Sequence, residues 1–384
     1  LTHILSIEDC VDAVDVETIC ILVGMMLLVA VIKNSGIFEY IAIKAAKIAK
    51  GRPWPIMVIF IFITAVCSGM LDNVTTVLLV GPMTLAITNI LKVDPVPYII
   101  TQIMASNIGG TATLIGDPPN IMIGSAAKLS FVDFILNTGV ATVFVIIVGL
   151  ICMYFIYGRK LFVTDESIVK VMQLDENKAI KDRKLMHESV IVIILVALCF
   201  IFHDQLGVQS CTVAIAAACI MLLIGGQEPE EIIADVEWPT ILFFIGLFIV
   251  VGGMKKVGVI TMLANGLISI THGNMVVTMM VILWVSAIVS SFLDNIPFVA
   301  TLIPMILTMQ SEGMDVTPIW WALSLGACLG GNGTLIGASA NVVLSGISKN
   351  NGHPITFGQY FKIGFPMMIL SIIVCSVFLL IRFA

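Results

Sequence analysis

The stretch SNIGGTATLIGDPPN, from Ser106 to Asn120, lies between segments that are almost entirely apolar. It contains three glycines, two prolines, two asparagines and one aspartate, a composition that is typical of a surface turn. A second stretch, GGNGTLIGASAN from Gly330, repeats the pattern GGxxTLIGxxxN that begins at Gly109. Because an ordinary surface turn has no reason to recur in the same form, the two stretches predict a structural element that is built twice.

The composition predicts that this element lies in a membrane. Apolar residues make up 59% of the 384 residues, charged residues make up only 11%, and the mean hydropathy is +1.09. Soluble domains are on average about 45–50% apolar. Several apolar runs approach the length of about 20 residues that a helix needs to span a bilayer. We therefore predict an all-α polytopic membrane protein.

An internal repeat divides the chain into two halves. ETICILVGMMLLVAVIKNSG, from Glu17, aligns with PTILFFIGLFIVVGGMKKVG, from Pro239, and SGMLDNVTTVLLVGPM, from Ser68, aligns with SSFLDNIPFVATLIPM, from Ser290. Both alignments use the same spacing of 222 residues, and the glycine-rich stretches follow at a spacing of 221. Matches this numerous indicate a duplication. We predict a first transmembrane repeat over residues 1–160, a cytoplasmic linker over 161–189 and a second repeat over 190–384.

The register of the repeat also predicts helices upstream of residue 1. The second half begins with apolar segments at 190–202 and 210–224, and their equivalents would lie before or at residue 1. We therefore expect one or two further spanning helices there. Each complete repeat would then cross the membrane five times, and an odd number inverts the second repeat relative to the first. An excess of Lys and Arg on the side of the linker supports this topology with the linker in the cytoplasm.

The glycine-rich stretches predict breaks in two membrane helices. Backbone groups cannot be left without hydrogen bonds in hydrocarbon, so irregular backbone is tolerated only where it is buried in protein or lines a wet cavity. Glycine allows a left-handed conformation or a close approach of backbones, and Pro118 and Pro119 remove backbone donors. A broken helix presents partial positive charge at one end and partial negative charge at the other, and the gap between them suits an ion.

The LDN sequences place carboxylates in the same apolar surroundings. An aspartate at the centre of a membrane helix costs about 2.5–3.5 kcal/mol, so its presence predicts a function. We predict that Asp72 and Asp294 bind H⁺ or Na⁺, with the amide oxygens of Asn73 and Asn295 as further ligands for a hard cation. Asp117 is a third carboxylate, and only the first repeat has it.

These motifs resemble a known family. LDNVTTVLLVGPMT, SNIGGTATLIGDPPNIMIGSAA and LGGNGTLIGASANVV together resemble the ArsB/NhaD group of the ion transporter superfamily. The GDPPN sequence is most similar to its arsenical-permease-like, P-protein-like branch. The resemblance covers nearly all of the chain beyond Asp15 except the linker. It implies two inverted repeats, each with a re-entrant hairpin that carries LDN at its tip and a broken helix that meets this tip near the membrane midplane.

By the same resemblance, the substrate or ion site is formed by the hairpin tips and broken helices of both repeats. In the first repeat it comprises Asp72, Asn73, Thr75, Thr76, Ser106, Asn107, Gly109, Gly110, Thr111, Thr113, Asp117 and Asn120. In the second repeat it comprises Asp294, Asn295, Gly330, Gly331, Asn332, Thr334 and Asn341. The second repeat has Ala327 and Cys328 where the first has Ser106 and Asn107, so we expect the two halves of the site to differ.

We predict a secondary active transporter without enzymatic activity. Proton-coupled efflux of arsenite, antimonite or a related anion is the first candidate, because neutral arsenite asks only for polar groups such as Asn and Thr. Na⁺/H⁺ antiport is the alternative that uses the carboxylates, and cation-coupled transport of an inorganic anion or a carboxylate is the third. A channel with the same fold stays open, whereas an intramembrane aspartyl protease would not need an Asn beside each Asp.

The expected partners follow from this class of protein. They are a small inorganic ion or anion and the lipid bilayer of a prokaryotic cytoplasmic membrane, with H⁺ or Na⁺ as the coupling ion, no cofactor and no nucleic acid. A homodimer and a separate ATPase subunit are both compatible with the sequence.

Overall fold

The computed structural model describes residues 4–271 and 273–384, apart from the side chains at positions 203, 204 and 206. All regular secondary structure in these ranges is helical. In chain order the α-helices span Ile7–Ala13, Val16–Lys33, Ile37–Ile48, Pro53–Leu71, Asn73–Leu91, Val96–Thr111, Pro118–Ala127, Phe131–Gly158, Asp165–Met172, Arg183–Leu206, Ser210–Ile224, Pro229–Ala234, Trp238–Lys256, Val259–Thr271, Met275–Phe292, Asn295–Ser311, Thr317–Gly330, Ser339–Asn350 and Phe357–Phe383. Phe131–Gly158 contains two π-helical turns, at Ile135–Gly139 and Tyr154–Gly158.

The described residues include eight helices that are long and apolar enough to cross a bilayer. They are Val16–Lys33, Pro53–Leu71, Asn73–Leu91, Phe131–Gly158, Arg183–Phe202, Trp238–Lys256, Met275–Phe292 and Phe357–Phe383. Three shorter apolar helices, Ser210–Ile224, Val259–Thr271 and Asn295–Ser311, accompany them. The prediction of an all-α polytopic membrane protein is therefore confirmed.

Both LDN motifs lie at the tips of helical hairpins. In the first hairpin, Asp72 alone separates Pro53–Leu71 from Asn73–Leu91. In the second hairpin, Leu293 and Asp294 separate Met275–Phe292 from Asn295–Ser311. The Asp side chain accepts a hydrogen bond from a backbone N–H of the following helix in both hairpins, which stabilises the start of that helix.

Both glycine-rich stretches interrupt helices, as predicted. The first broken helix consists of Val96–Thr111 and Pro118–Ala127, and the second consists of Thr317–Gly330 and Ser339–Asn350. The second half of the first broken helix begins with proline, whose missing N–H is not needed in a first turn. The polar residues of both motifs thereby lie at helix ends and in the short gaps between them.

The glycines of these stretches serve close packing. A Cβ atom at Gly109 would overlap the backbone of Ala65 in the first hairpin, and one at Gly330 would overlap the equivalent Ala287 in the second. Gly109, Gly110 and Gly116 have no positive φ angle, so they do not form left-handed turns. Glycine could serve either a left-handed conformation or a close approach of two backbones, and at these positions it serves the close approach.

Two ion pairs demonstrate that the repeats are inverted. Lys33, at the end of Val16–Lys33, pairs with Asp235 just before Trp238–Lys256, with 2.6 Å between the nitrogen and the oxygen. Lys256, at the end of Trp238–Lys256, pairs with Asp9, which precedes Val16–Lys33, at 2.5 Å. Each helix therefore ends beside the start of its equivalent. The two equivalent helices run in opposite directions, as two inverted repeats require.

The repeats also exchange contacts reciprocally. The second arm of the first hairpin, Asn73–Leu91, packs against Ser339–Asn350 of the second broken helix. The second arm of the second hairpin, Asn295–Ser311, packs against Pro118–Ala127 of the first broken helix. Both hairpin tips and both helix breaks consequently come together in the interior between the repeats.

Candidate functional site

A chain of four buried amides joins the two repeats at the centre of the molecule. The Asn107 Nδ2 group donates to the side-chain oxygens of Asn332 and Asn341, at 2.9 Å in each case. The Oδ1 atom of Asn107 lies 3.4 Å from Nδ2 of Asn73 at the first hairpin tip. All four side chains are buried. The resemblance placed all four residues in the site, and the structure brings them together.

Two asparagines close the gaps in the broken helices. Nδ2 of Asn120 donates to the backbone carbonyls of Gly110, Thr111 and Thr113, at 2.9–3.3 Å. Nδ2 of the equivalent Asn341 donates to the carbonyls of Gly331 and Thr334, at 2.7 and 2.8 Å. These carbonyls have lost their helical partners, and one amide satisfies several of them. Both asparagines therefore stabilise the irregular backbone of the gaps.

Three predicted threonines and one predicted serine also bond to backbone carbonyls. The Thr113 hydroxyl donates to Gly69 at 2.5 Å, and the Thr334 hydroxyl donates to Ser291. Thr111 and Ser106 donate within their own helix, to the carbonyls of residues 107 and 103. The Thr113 and Thr334 hydroxyls thus join the broken helices to the hairpins, whereas those of Thr111 and Ser106 stay within one helix.

The first hairpin tip has an unusual backbone conformation. Asp72 has φ 128° and ψ 161°, a backbone conformation that residues other than glycine rarely adopt. Its carboxylate accepts hydrogen bonds from the Thr75 backbone N–H at 2.9 Å and from the Thr75 hydroxyl at 2.5 Å. The equivalent Asp294 is unstrained, with φ −58° and ψ 138°.

The carboxylates of the second half-site have different partners. Asp294 accepts hydrogen bonds from the Ile296 N–H at 3.0 Å and from the Ser339 hydroxyl at 2.8 Å. Asp117, in the gap of the first broken helix, accepts from Nδ2 of Asn295 at 3.2 and 3.3 Å. Asn295 therefore links the second hairpin tip to the first broken helix. The equivalent aspartates Asp72 and Asp294 therefore have different hydrogen-bond partners.

A small cavity separates the two hairpin tips. Its volume is about 20 Å³, and its lining residues include Asp72, Asn73, Asp117, Asn295 and Glu237. A cavity needs a volume of roughly 10–15 Å³ to hold one water molecule. The cavity therefore fits one water molecule or one monatomic cation, and its walls carry carboxylate and amide oxygens.

Two oxygen atoms of the first hairpin are available to a ligand. Oδ1 of Asn73 and the hydroxyl oxygen of Thr76 are buried and have no hydrogen-bond partner among the described residues. Buried polar atoms are almost always hydrogen-bonded, so unpaired ones call for an explanation such as a bound ion or water. An oxygen atom that is free, next to a carboxylate, is the kind of ligand that a hard cation prefers.

Side chains that commonly bind metal ions are not clustered in the described part of the chain. Within residues 4–271 and 273–384, no group of three or more His, Cys, Asp or Glu side chains is arranged to hold a metal ion. Cys328 lies opposite Asn120, with 3.5 Å between its sulfur and the amide oxygen, and Ser324 donates to the same oxygen at 2.6 Å. The thiol thus occupies the position equivalent to Asn107.

Sequence reasoning missed Glu237, Thr240, Ser324 and Ser339. Glu237 and Thr240 line the small cavity. The repeat carried a signal for them, because Asp15 and Thr18 stand at the equivalent positions and keep the same acid-to-Thr spacing. Ser339 stands where the first repeat has Pro118, so alignment of the repeats gave no indication of a polar group there.

Known proteins with a similar sequence or fold include proteins named as transporters. An uncharacterized transporter of Mycobacterium tuberculosis is 42% identical over 374 residues, which is 96% of this chain and 87% of that protein. The P protein of Homo sapiens is 31% identical over 461 residues, and the alignment covers 99% of this chain but only 54% of the P protein. The chain thus spans about half the length of the P protein.

A solved structure shows the same fold. The YdaH transporter of Alcanivorax borkumensis, whose crystal structure is described as having an unusual topology, aligns with a TM-score of 0.57. The alignment covers 94% of this chain and 83% of YdaH, at 16% sequence identity. Together with the ion pairs between the repeats, this likeness confirms the predicted fold.

The family assignment follows from these comparisons. The predicted similarity to the P protein is confirmed, while the assignment to the ArsB/NhaD group stays a prediction. The profile of the citrate transporter family, CitMHS, matches residues 1–326. The chain is an integral membrane protein that belongs to the CitMHS family of citrate transporters.

Proposed function

We propose that this protein is a cation-coupled secondary transporter, in which Asp72 and Asp117 bind the coupling cation, H⁺ or Na⁺, with the help of Asn73 and Asn295. The small cavity between the hairpin tips is the observation that supports this proposal best. It is lined by carboxylates and amides, it has room for one monatomic ion, and Oδ1 of Asn73 has no hydrogen-bond partner within the described part of the chain.

Na⁺/H⁺ exchange is the simplest reaction that this cavity supports. A carboxylate that releases a proton on one side of the membrane and takes Na⁺ in its place couples the two fluxes directly. Two inverted repeats supply the alternating access that such an exchange needs. We therefore prefer this reaction to arsenite or antimonite efflux. The amides of Asn107, Asn332 and Asn341, which would bind a neutral metalloid acid, already bond to one another. Metalloid efflux, the reaction of an ArsB-type protein, stays a prediction.

Cation-coupled carboxylate transport is the second candidate, and the family match favours it. Citrate is multiply negative, and the described residues that line the small cavity include no Lys or Arg. A carboxylate substrate would therefore have to enter together with a cation that neutralises it. It would also need a larger opening than the cavity of about 20 Å³, which another state of the transport cycle would have to provide.

The location and the assembly belong to the same proposal. We place the protein in the cytoplasmic membrane of a prokaryote, with the linker in the cytoplasm, as the excess of basic residues on that side suggests. A homodimer and a separate ATPase subunit are compatible with this arrangement. Neither is required by the exchange reaction, because the carboxylates and the repeats lie in one chain.

Reconstituted protein tests the proposal. Liposomes that contain a pH-sensitive dye receive Na⁺, Li⁺, arsenite, antimonite, citrate or citrate with Mg²⁺, each under an imposed proton gradient. We expect Na⁺ or Li⁺ alone to trigger a proton flux. Asp72→Asn should abolish this flux, because Asn keeps an oxygen that can cap the helix but loses the charge. Asp165→Asn, on the exposed linker, is the matched control and should behave as the wild type.

The outcomes separate the candidates. A flux triggered only by arsenite or antimonite would replace cation exchange by metalloid efflux. A flux that requires citrate would establish the carboxylate transporter, and its dependence on Mg²⁺ would identify the accompanying cation. A normal flux in Asp72→Asn would contradict the assignment of the site.

A further inference from the structure

We propose that Glu237 is a further cation-binding carboxylate, in addition to Asp72 and Asp117, that it faces Asp72 across the small cavity, and that the coupling cation enters or leaves through it. This inference rests on the proposed function and names a residue that motif and resemblance did not indicate. Glu237 and Asp72 line the same cavity. Asp72 is buried, whereas Glu237 is half-buried, so Glu237 is the more accessible of the two.

The repeat shows that Glu237 is not needed to cap a helix. The equivalent Asp15 caps Val16–Lys33, because its carboxylate accepts hydrogen bonds from the Thr18 N–H at 3.2 Å and from the Thr18 hydroxyl at 2.7 Å. Glu237 precedes Trp238–Lys256 but makes no side-chain capping bond among the described residues. Its carboxylate accepts a hydrogen bond from the Thr240 hydroxyl, at 3.2 Å. Asp is a better helix cap than Glu. The longer side chain of Glu at this position is therefore better explained by a role in the cavity than by capping.

The surroundings of Glu237 favour a cation. Asp72 approaches from the first hairpin and Asp117 from the first broken helix, and Asn73, whose buried Oδ1 has no hydrogen-bond partner among the described residues, lines the same cavity. Lys33, at the end of the neighbouring helix Val16–Lys33, is engaged with Asp235. Among the described residues, no Lys or Arg lines the cavity to neutralise its carboxylates. Carboxylates that share a small cavity are stabilised when one cation lies between them.

The position of Glu237 indicates the side of entry. Asp235, Lys33 and the end of Val16–Lys33 surround the start of Trp238–Lys256, and Asn34 bonds to Gln227 there at 2.6 Å. The linker contacts the same region, because the Lys181 N–H donates to the Ser35 carbonyl at 3.0 Å. A cation that passes Glu237 therefore exchanges with the linker side of the membrane, and Asp72 holds it deeper in the protein.

Substitution of Glu237 tests the inference. The variants are Glu237→Gln, which removes the charge, and Glu237→Asp, which keeps the charge and shortens the side chain. Glu230→Gln is the matched control, because Glu230 lies a few residues upstream on the exposed helix Pro229–Ala234. The measurement is the proton flux at increasing Na⁺ or Li⁺ and at varied pH. A second readout is the rise in melting temperature of the purified protein with Na⁺ or Li⁺.

We expect Glu237→Gln to raise the half-saturating cation concentration by about tenfold or more, which is the loss expected for one charged ligand. The cation-dependent rise in melting temperature should shrink in parallel. Glu237→Asp should recover part of the affinity, and Glu230→Gln should match the wild type. A purely structural role would instead lower the melting temperature without cation and leave the half-saturating concentration unchanged, which would overturn the inference.

The two proposals fail in different ways. A wild type that exchanges cations normally, together with a Glu237→Gln variant of equal cation affinity, would overturn the role of Glu237 alone. A wild type that shows neither a flux nor a melting shift with Na⁺, Li⁺ or changed pH would overturn cation coupling and the role of Glu237 together.

Discussion

Asp72 and Asp294 occupy equivalent positions, yet only one of them is strained. Asp72 has a φ angle of 128°, and Asp294 has one of −58°. A strained conformation of this kind costs about 1–3 kcal/mol and persists where the surroundings enforce it. The sequence predicted both aspartates at hairpin tips, because the LDN motif is repeated. It could not predict the strain, because identical triplets adopt the two conformations.

Glycine substitution distinguishes the two tips. Gly relieves the backbone at position 72, so Asp72→Gly should be more stable than Asp72→Ala by about 1–2 kcal/mol. At position 294 the order should reverse, because Gly in an ordinary conformation costs about 0.5–1 kcal/mol relative to Ala. Thermal unfolding of the four purified variants measures this. Equal ordering at both positions would contradict the strain at Asp72.

At the scale of elements, the linker is a structured part of the molecule. It contains the helix Asp165–Met172 and a short 3₁₀ helix at Glu176–Ala179, and the helix Arg183–Leu206 begins within it. Nζ of Lys47 contacts Glu176 at 2.6 Å and the Leu174 carbonyl at 3.1 Å. The polar composition marked a connection between the repeats. These docking contacts depend on the tertiary structure, so the composition did not reveal them.

Removal of the Glu176 charge should release the linker. The hydrogen bond from Lys47 holds the pKa of the Glu176 carboxyl below its ordinary value. Because the pKa of Glu176 is lowered in the folded protein, its ionised form stabilises the docked linker at pH values above the ordinary pKa. This stabilisation is lost as the pH falls through the pKa that Glu176 has in the folded protein. Glu176→Gln should therefore increase tryptic cleavage at the exposed Lys178 at neutral pH.

The control for this prediction is acid pH and a second site. Below the pKa of Glu176 in the folded protein, an acid-stable protease should cleave the wild type and Glu176→Gln at the same rate. Glu166→Gln, which disrupts an ion pair within the exposed helix Asp165–Met172, should leave cleavage at Lys178 unchanged. Equal cleavage of wild type and Glu176→Gln at neutral pH would show that the ion pair does not anchor the linker.

For the whole molecule, the duplication makes the architecture predictable from the sequence. Sequence differences between the two repeats make the site harder to predict. The repeated hairpins, broken helices and inversion all follow from residues that the two halves share. The site combines the shared LDN residues with positions where the two halves differ. Asp117 has no carboxylate equivalent, and the equivalents Glu237 and Asp15 differ in where their side chains reach. Only the three-dimensional arrangement shows that Glu237 and Asp72 line the same cavity.

Inversion predicts the sides on which equivalent residues lie. In a variant without native cysteines, Lys33→Cys should be shielded in intact cells from a membrane-impermeant thiol reagent and should react after permeabilisation. Lys256→Cys should react in intact cells, because the equivalent helices run in opposite directions. Asp165→Cys, on the linker that we propose to be cytoplasmic, serves as the reference for the side on which Lys33 lies. Labelling of both lysine positions from the same side would contradict the inverted arrangement.

The most direct test of cation coupling is the proton flux that Na⁺ triggers in liposomes, measured for the wild type and for Asp72→Asn in parallel. The account predicts a saturable flux in the wild type and none in Asp72→Asn, with equal amounts of folded protein in both membranes. A flux of equal size in both, or a wild type that Na⁺ and Li⁺ leave silent while arsenite or citrate drives transport, would contradict it.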